Sequence, residues 1–125
     1  MNNGHQLGKI AELYAQQFFV RKGYQLLAKN YRYRKAEVDL IARQNNTIVC
    51  VEVKAGSYDY YGHPSAFISV KKQQLLCMAM DQFAQTILEA VEFRFDILCI
   101  YKSNNQWQVD HLKNTFYCMH LLLYL

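Results

Sequence analysis

AEVDLIARQNNTIVCVEVK, residues 36–54, reads as two apolar-rich strands joined by Asn45-Asn46. Asparagine tolerates the positive φ that a two-residue hairpin turn demands. With those two residues as the turn, Gln44 faces Thr47, and the same register sets Asp39 across from Glu52 and Glu37 across from Lys54. Side chains alternate faces along a strand, so Glu52 and Lys54 share one face while Val51 and Val53 take the other. The hairpin thus predicts a patch on which Glu37, Asp39, Glu52 and Lys54 converge. Two carboxylates opposed on neighbouring strands repel unless a cation lies between them, which makes Asp39 and Glu52 a natural oxygen site for Mg2+. An ion held there would polarise a phosphodiester oxygen and acidify a bound water, with Lys54 one pleat away to orient the nucleophile or neutralise developing charge. Spacing alone leaves a second reading open, in which Glu52 and Lys54 are solvated residues on the exposed face of a strand and Asp39 sits in an incidental ion pair.

Outward from the hairpin, the periodicities alternate. Leu7, Ile10, Ala11, Tyr14, Ala15 and Phe18 recur at the spacing of an amphipathic helix that Gly23 stops. Tyr24 to Tyr33 reads as a strand ending in alternating aromatic and basic residues. After Lys54 comes an irregular stretch from Ala55 to Pro64 that holds Tyr58, Tyr60, Tyr61 and the only proline. A second helix is expected from about Phe67 to Leu88, with Ile68, Leu75, Leu76, Met80, Phe83 and Ile87 facing inward. Phe93 to Tyr101 and Gln106 to Leu112 read as two further strands. Helix, three strands, helix, two strands is the order of an α/β sandwich rather than of an all-β or all-helical fold.

A chain of 125 residues, 52% hydrophobic and 14% aromatic, supports one domain with a real core and excludes a disordered chain. That domain is expected over residues 1–116. The apolar remainder, residues 117–125, is expected either to pack on it or to form a homodimer contact. The net charge of +4 is unevenly placed: residues 1–54 carry nine basic and four acidic side chains, residues 55–125 five and six. A positive half attracts polyanions, a phosphate backbone above all. Arg32, Arg34 and Lys35, interleaved with Tyr31 and Tyr33, suit phosphate pairing with a tyrosine stacked on a base; a twisted edge strand with one basic and one packed face explains the same pattern. Arg94 and Asp96 share a strand face and predict an internal ion pair. Cys50, Cys77, Cys99 and Cys118 lack CxxC spacing, and His5, His63, His111 and His120 lack ligand spacing, so reduced, mostly buried thiols are expected rather than a zinc site or disulfide framework. The N-terminus has no apolar stretch of signal-peptide length and no run reaches the roughly 18 residues of a membrane span, which favours a cytoplasmic protein.

Six ordered segments carry a resemblance: GKIAELYA at 8–15, KNYRYRKAEVDLIA at 29–42, VEVK at 51–54, Gly62 with Pro64, RFD at 94–96 and VDHLKNTF at 109–116. Together they resemble the YraN family, small bacterial proteins with a restriction-endonuclease-like fold within the PD-(D/E)xK nuclease superfamily. The resemblance implies a three-layer α/β sandwich with a central mixed sheet flanked by helices. It implies Asp39 and Glu52 as metal ligands for Mg2+, with Mn2+ as substitute, Lys54 as the catalytic lysine and Glu12 as the acidic residue contributed by the first helix. Lys72 matches a lysine of the family's second helix that would face the phosphate backbone. The implied activity is hydrolysis of phosphodiester bonds in DNA, on branched or otherwise unusual structures. Ala36, Ala55, Gly56 and Ala66 stand where the family usually has glycine, threonine, arginine and an acidic residue, so polar neighbours of the site are lost. Those departures keep an alternative open: a nucleic-acid-binding module that retains the fold without catalysis.

Overall fold

The computed structural model describes residues 3–56 and 68–118. Helix α1 spans Asn3–Arg21, and Gly23 at φ +90 ends it. There the Gly23 N–H donates to Val20 O at 3.0 Å and the Tyr24 N–H to Phe19 O at 2.9 Å, the pairing by which a left-handed glycine closes off a helix. Three strands follow, β1 (Gln25–Tyr33), β2 (Ala36–Gln44) and β3 (Thr47–Gly56), then α2 (Val70–Ala84), β4 (Glu92–Ser103) and β5 (Gln106–Leu112). Ser69 caps α2 by accepting from the Lys72 N–H at 3.1 Å. The hairpin turns use residues that tolerate left-handed backbone: Asn45 at φ +56 between β2 and β3, and Asn104 and Asn105 at φ +51 and +60 between β4 and β5.

The five strands form one sheet in the order β1-β2-β3-β4-β5, with β3 and β4 parallel and every other pair antiparallel. A parallel pair needs a crossover, and α2 lies on the connection that supplies it. Alternation along β3 and β4 divides the core in two. Val49, Val51, Leu98 and Ile100 cluster with Ala11, Ala15 and Phe19 of α1, whereas Ile48, Cys50, Ile97 and Cys99 cluster with Leu76, Cys77, Ala79 and Met80 of α2. Successive strand residues face opposite ways, so the sheet lies between the two helices. The result is an α/β protein with a mixed sheet covered on both faces, in the expected element order.

Two expectations are corrected. On α1 the buried residues are Ala11, Ala15 and Phe19, while Ile10 and Tyr14 are exposed together with Leu13 and Val20. The small alanines let the helix backbone approach the sheet closely, which turns the larger neighbours outward. Cys77 and Cys118 are not free thiols but a disulfide with Cα atoms 5.8 Å apart; Cys50 and Cys99 are free and buried. The bond ties the chain after β5 to the middle of α2. Thr115 donates to Phe95 O through both its N–H and its hydroxyl, and Phe116 lies 4.6 Å from the Phe95 ring, holding the same segment down. The rest of the apolar tail, residues 119–125, and residues 57–67, with Tyr58, Tyr60, Tyr61, His63, Pro64 and Ala66, lie outside the described residues. Among the described residues no helix is long and apolar enough to cross a membrane.

Candidate functional site

The β2–β3 ladder follows the expected register from Gln44↔Thr47 to Leu40↔Val51 and stops there. The cause lies at Asp39. Ala36 and Val38 belong to the cluster under α2, but Leu40 and Ala42 belong to the cluster under α1, so alternation breaks between them. On the neighbouring strand the pairs Tyr31↔Val38 and Lys29↔Leu40 flank Asn30, which sits at φ +50. Such an irregularity bends a strand and re-aims a side chain. Here it sends the Asp39 carboxylate to β3, where Oδ2 accepts the Val53 N–H at 2.8 Å. A side-chain acceptor thus satisfies a β3 N–H beyond the end of the ladder.

Around this split the charges crowd. Glu52 is 5% exposed; its Oε1 accepts from Lys72 Nζ at 2.7 Å, and its Oε2 is buried with no hydrogen-bond partner among the described residues. The pKa of Asp39 is pushed up to about 7 by burial first, then by the Glu52 carboxylate and, more weakly, Glu12, against the Val53 N–H and Lys72. Burial works against the Lys72 ammonium, but the bond to Glu52 and the nearby charges of Glu52, Asp39 and Glu37 hold its pKa above the ordinary value. An open pocket of about 390 Å³ lies against Asp39, lined by Lys35, Glu37, Ser69, Lys71 and Lys72 and floored by Leu75 and Leu76.

Of the residues expected in the patch, Asp39, Glu52 and Lys72 are brought together, and Glu12 is near enough for its charge to act on Asp39. Lys54 follows Glu52 by two residues on the same strand, is half-buried and forms no ion pair with the described residues. Glu37 does not face Lys54, because the ladder has already ended; it lies 3.5 Å from exposed Arg32. Lys35 reaches the pocket. Arg34, in the β1–β2 turn at φ +55, lies over the Tyr33 ring at 5.3 Å. Tyr31 is half-buried and packs edge-on to Phe83 of α2 at 5.3 Å, against the cluster under that helix.

Among the described residues no group of three His, Cys, Asp or Glu side chains is placed to hold a metal ion. Asp39 and Glu52 nevertheless fit Mg2+, which retains several waters and is commonly held by one or two carboxylates plus substrate phosphate. Glu52 Oε2, unpartnered among the described residues, and the crowded Asp39 carboxylate both offer oxygens that a cation would satisfy.

A second polar node escaped the sequence in part. The expected Arg94–Asp96 pair is present, with Arg94 Nε and Nη2 at 2.9 and 2.8 Å from Asp96. Asp96, whose side chain is fully buried, also meets His111 Nε2 at 2.7 Å and accepts the Asn114 N–H at 3.0 Å, while Arg94 donates to the Tyr24 hydroxyl at 2.6 Å. Although burial opposes it, these partners draw the Asp96 pKa below its ordinary value. His111 sits edge-on between Phe18 and Phe19. The node joins β4 and β5 to α1 and to Tyr24 just before β1.

Fold and site together define a class: a small α/β protein whose central hairpin opens around an acidic pair, buried Glu52 and half-buried Asp39, beside lysines from α2. The chain belongs to the family described as "Uncharacterised protein family UPF0102", whose model matches residues 11–100, the family its six sequence segments resemble. It is 36% identical over 117 residues to a UPF0102 protein of Flavobacterium psychrophilum, covering 94% of this chain and 98% of that one. A UPF0102 protein of Caldicellulosiruptor saccharolyticus is 35% identical, with 91% and 99% covered, and one of Desulforapulum autotrophicum 35% identical, with 92% and 96% covered.

Proposed function

We propose that this protein is a metal-dependent nuclease of restriction-endonuclease-like fold that hydrolyses phosphodiester bonds in DNA, with branched structures as its substrates. The observation that carries this reading is the Asp39–Glu52 pair, held where β2 leaves β3, with a buried carboxylate oxygen that no group among the described residues satisfies. The linear strand order, with a single parallel pair crossed over by a helix, supports the fold assignment.

Asp39 and Glu52 would hold Mg2+, or Mn2+ in its place, and Glu12 adds negative charge from α1. The bound ion would supply a polarised phosphoryl oxygen and an acidified water. Lys54, uncommitted to any carboxylate among the described residues, can orient the attacking water or meet the charge that develops on the phosphate. Lys35 and Lys71 on the pocket rim, with Arg32 and Arg34 beyond, place cations where a phosphate backbone would run. A lone domain of this size has little surface with which to read base sequence, which favours recognition by DNA shape.

The test is cleavage of labelled duplex, single-stranded, flap and four-way-junction DNA with Mg2+, Mn2+ or EDTA, using wild type, Asp39→Ala and Lys54→Ala. Cleavage that needs metal and drops at least about a hundredfold in both variants supports the nuclease reading; metal-independent cleavage, or full activity in Lys54→Ala, refutes it. A second reading, a nucleic-acid-binding module without catalysis, is favoured by the Lys72–Glu52 ion pair, which already supplies a cation to the site. It expects salt-sensitive binding, equal in all three proteins, with no product from any substrate.

A further inference from the structure

We infer that Lys72 is an exchangeable counter-ion of the site: its ammonium occupies Glu52 in the metal-free protein, is displaced when a divalent cation bridges Asp39 and Glu52, and then serves as a phosphate ligand in the adjoining pocket. The inference rests on the metal-site reading above and adds a coupling between metal loading and DNA binding.

The two ends of the ion pair are unlike. The Glu52 side chain is 6% exposed and fixed in the centre of the sheet, whereas that of Lys72 is 41% exposed and hangs from the first turn of α2. The backbone at Lys72 is pinned by its N–H bond to Ser69, but four methylenes separate that anchor from Nζ. Nζ can therefore leave Glu52 without moving the helix. Among the described residues only Oε1 is engaged, and Oε2 is left buried without a partner, so the ammonium satisfies half of the carboxylate. A single positive charge also faces two acidic groups, Asp39 and Glu52. A divalent cation between those groups would match their charge and repel an ammonium 2.7 Å from the same carboxylate. The displaced Lys72 already lines the pocket with Lys35 and Lys71, so the nearest new partner is an anion in that pocket.

Competition for one carboxylate has a reciprocal consequence. Freeing Lys72 by metal strengthens phosphate binding, and drawing Lys72 onto phosphate strengthens metal binding by the same factor. Removal of Lys72 should thus tighten metal binding, the opposite of what loss of a supporting residue does.

Calorimetric titration of Mn2+ into the full chain tests this, comparing wild type with Lys72→Met, Lys72→Gln, Lys72→Arg and Asp39→Ala, each checked for folding by its thermal melt. Lys72→Met should bind Mn2+ roughly tenfold more tightly than wild type, the worth of one charge-assisted hydrogen bond. Lys72→Gln should do the same should the Met variant fail to fold, and Lys72→Arg should resemble wild type. In a Lys54→Ala background, chosen to slow cleavage, a duplex should tighten Mn2+ binding when Lys72 is present and not when it is Met. Unchanged or weaker Mn2+ binding in the folded Met or Gln variant, with binding still abolished by Asp39→Ala, overturns the exchange and leaves the metal site standing. Absence of Mn2+ binding from wild type and from every Lys72 variant overturns both.

Discussion

At the scale of single residues, Asp39 and Asp96 show how environment sets opposite titration behaviour. Asp39 ordinarily titrates near 3.8 and is pushed up to about 7 in the fold. Between those values the folded chain keeps a proton that the unfolded chain has lost. Its contribution to stability is therefore fully present below 3.8, declines as pH rises and is gone at about 7. Asp39→Asn keeps an acceptor for the Val53 N–H and removes the charge. Urea unfolding should find this variant equal to wild type at the acid end and more stable above neutrality by about 1–3 kcal/mol, discounted for the partial exposure of the site. Equal stability of the two proteins at every pH would contradict the crowding of Asp39. Asp96, drawn below its ordinary value, has the other sign: its contribution is present above 3.8 and lost as pH falls through the folded value. Asp96→Asn leaves half-buried Arg94 without its counter-charge in the node around the buried carboxylate, so a loss of about 3 kcal/mol at neutral pH is expected in the same experiment.

Elements were legible where a local rule governs them, and illegible where the rule is broken for a reason that lies elsewhere in the chain. The turn at Asn45-Asn46 and the β2–β3 register down to Leu40↔Val51 follow from turn chemistry and alternation. Extending that register to Glu37 and Lys54 fails because the break near Asp39, across from Asn30, interrupts alternation, and no pattern within β2 announces it. Periodicity predicts a second helix over 67–88, longer than the observed one: it ends at Ala84, and Thr86 and Ile87 close it with turns back to Phe83 and Ala84. Lys72 reached the site through family resemblance alone, since a lysine in a first helical turn reads as solvated. The disulfide was beyond reach because four dispersed cysteines admit several pairings and spacing favours none. It closes a loop of 41 residues between α2 and the chain after β5, a length for which chain-entropy accounting gives about 3–4 kcal/mol. Adding reductant should lower the melting temperature of wild type by about 10 °C. Cys118→Ser should melt at the reduced value with or without reductant, and a wild type indifferent to reductant would mean that the bond contributes nothing.

For the whole molecule, the consequence is a field with a direction. Basic residues from both parts of the chain meet at one pocket: Lys35 from the β1–β2 turn, next to Arg34 in sequence, and Lys71 and Lys72 from the first turn of α2. Arg43, at the far end of the hairpin, is already committed to Glu89 at 2.7 Å and should take little part. If a phosphate backbone crosses the pocket, each lysine or arginine that meets it releases about one counter-ion, and the logarithm of affinity falls with the logarithm of salt in proportion. Replacing Arg34 and Lys35 together by glutamine should weaken duplex binding by more than tenfold at low salt and flatten that slope by about 2, while Arg43→Gln leaves it unchanged. Fluorescence anisotropy of a labelled duplex over a salt series measures both. Equal slopes for the two variants would place the DNA elsewhere, and the pocket would then lose its claim as the route by which a phosphate reaches Asp39 and Glu52.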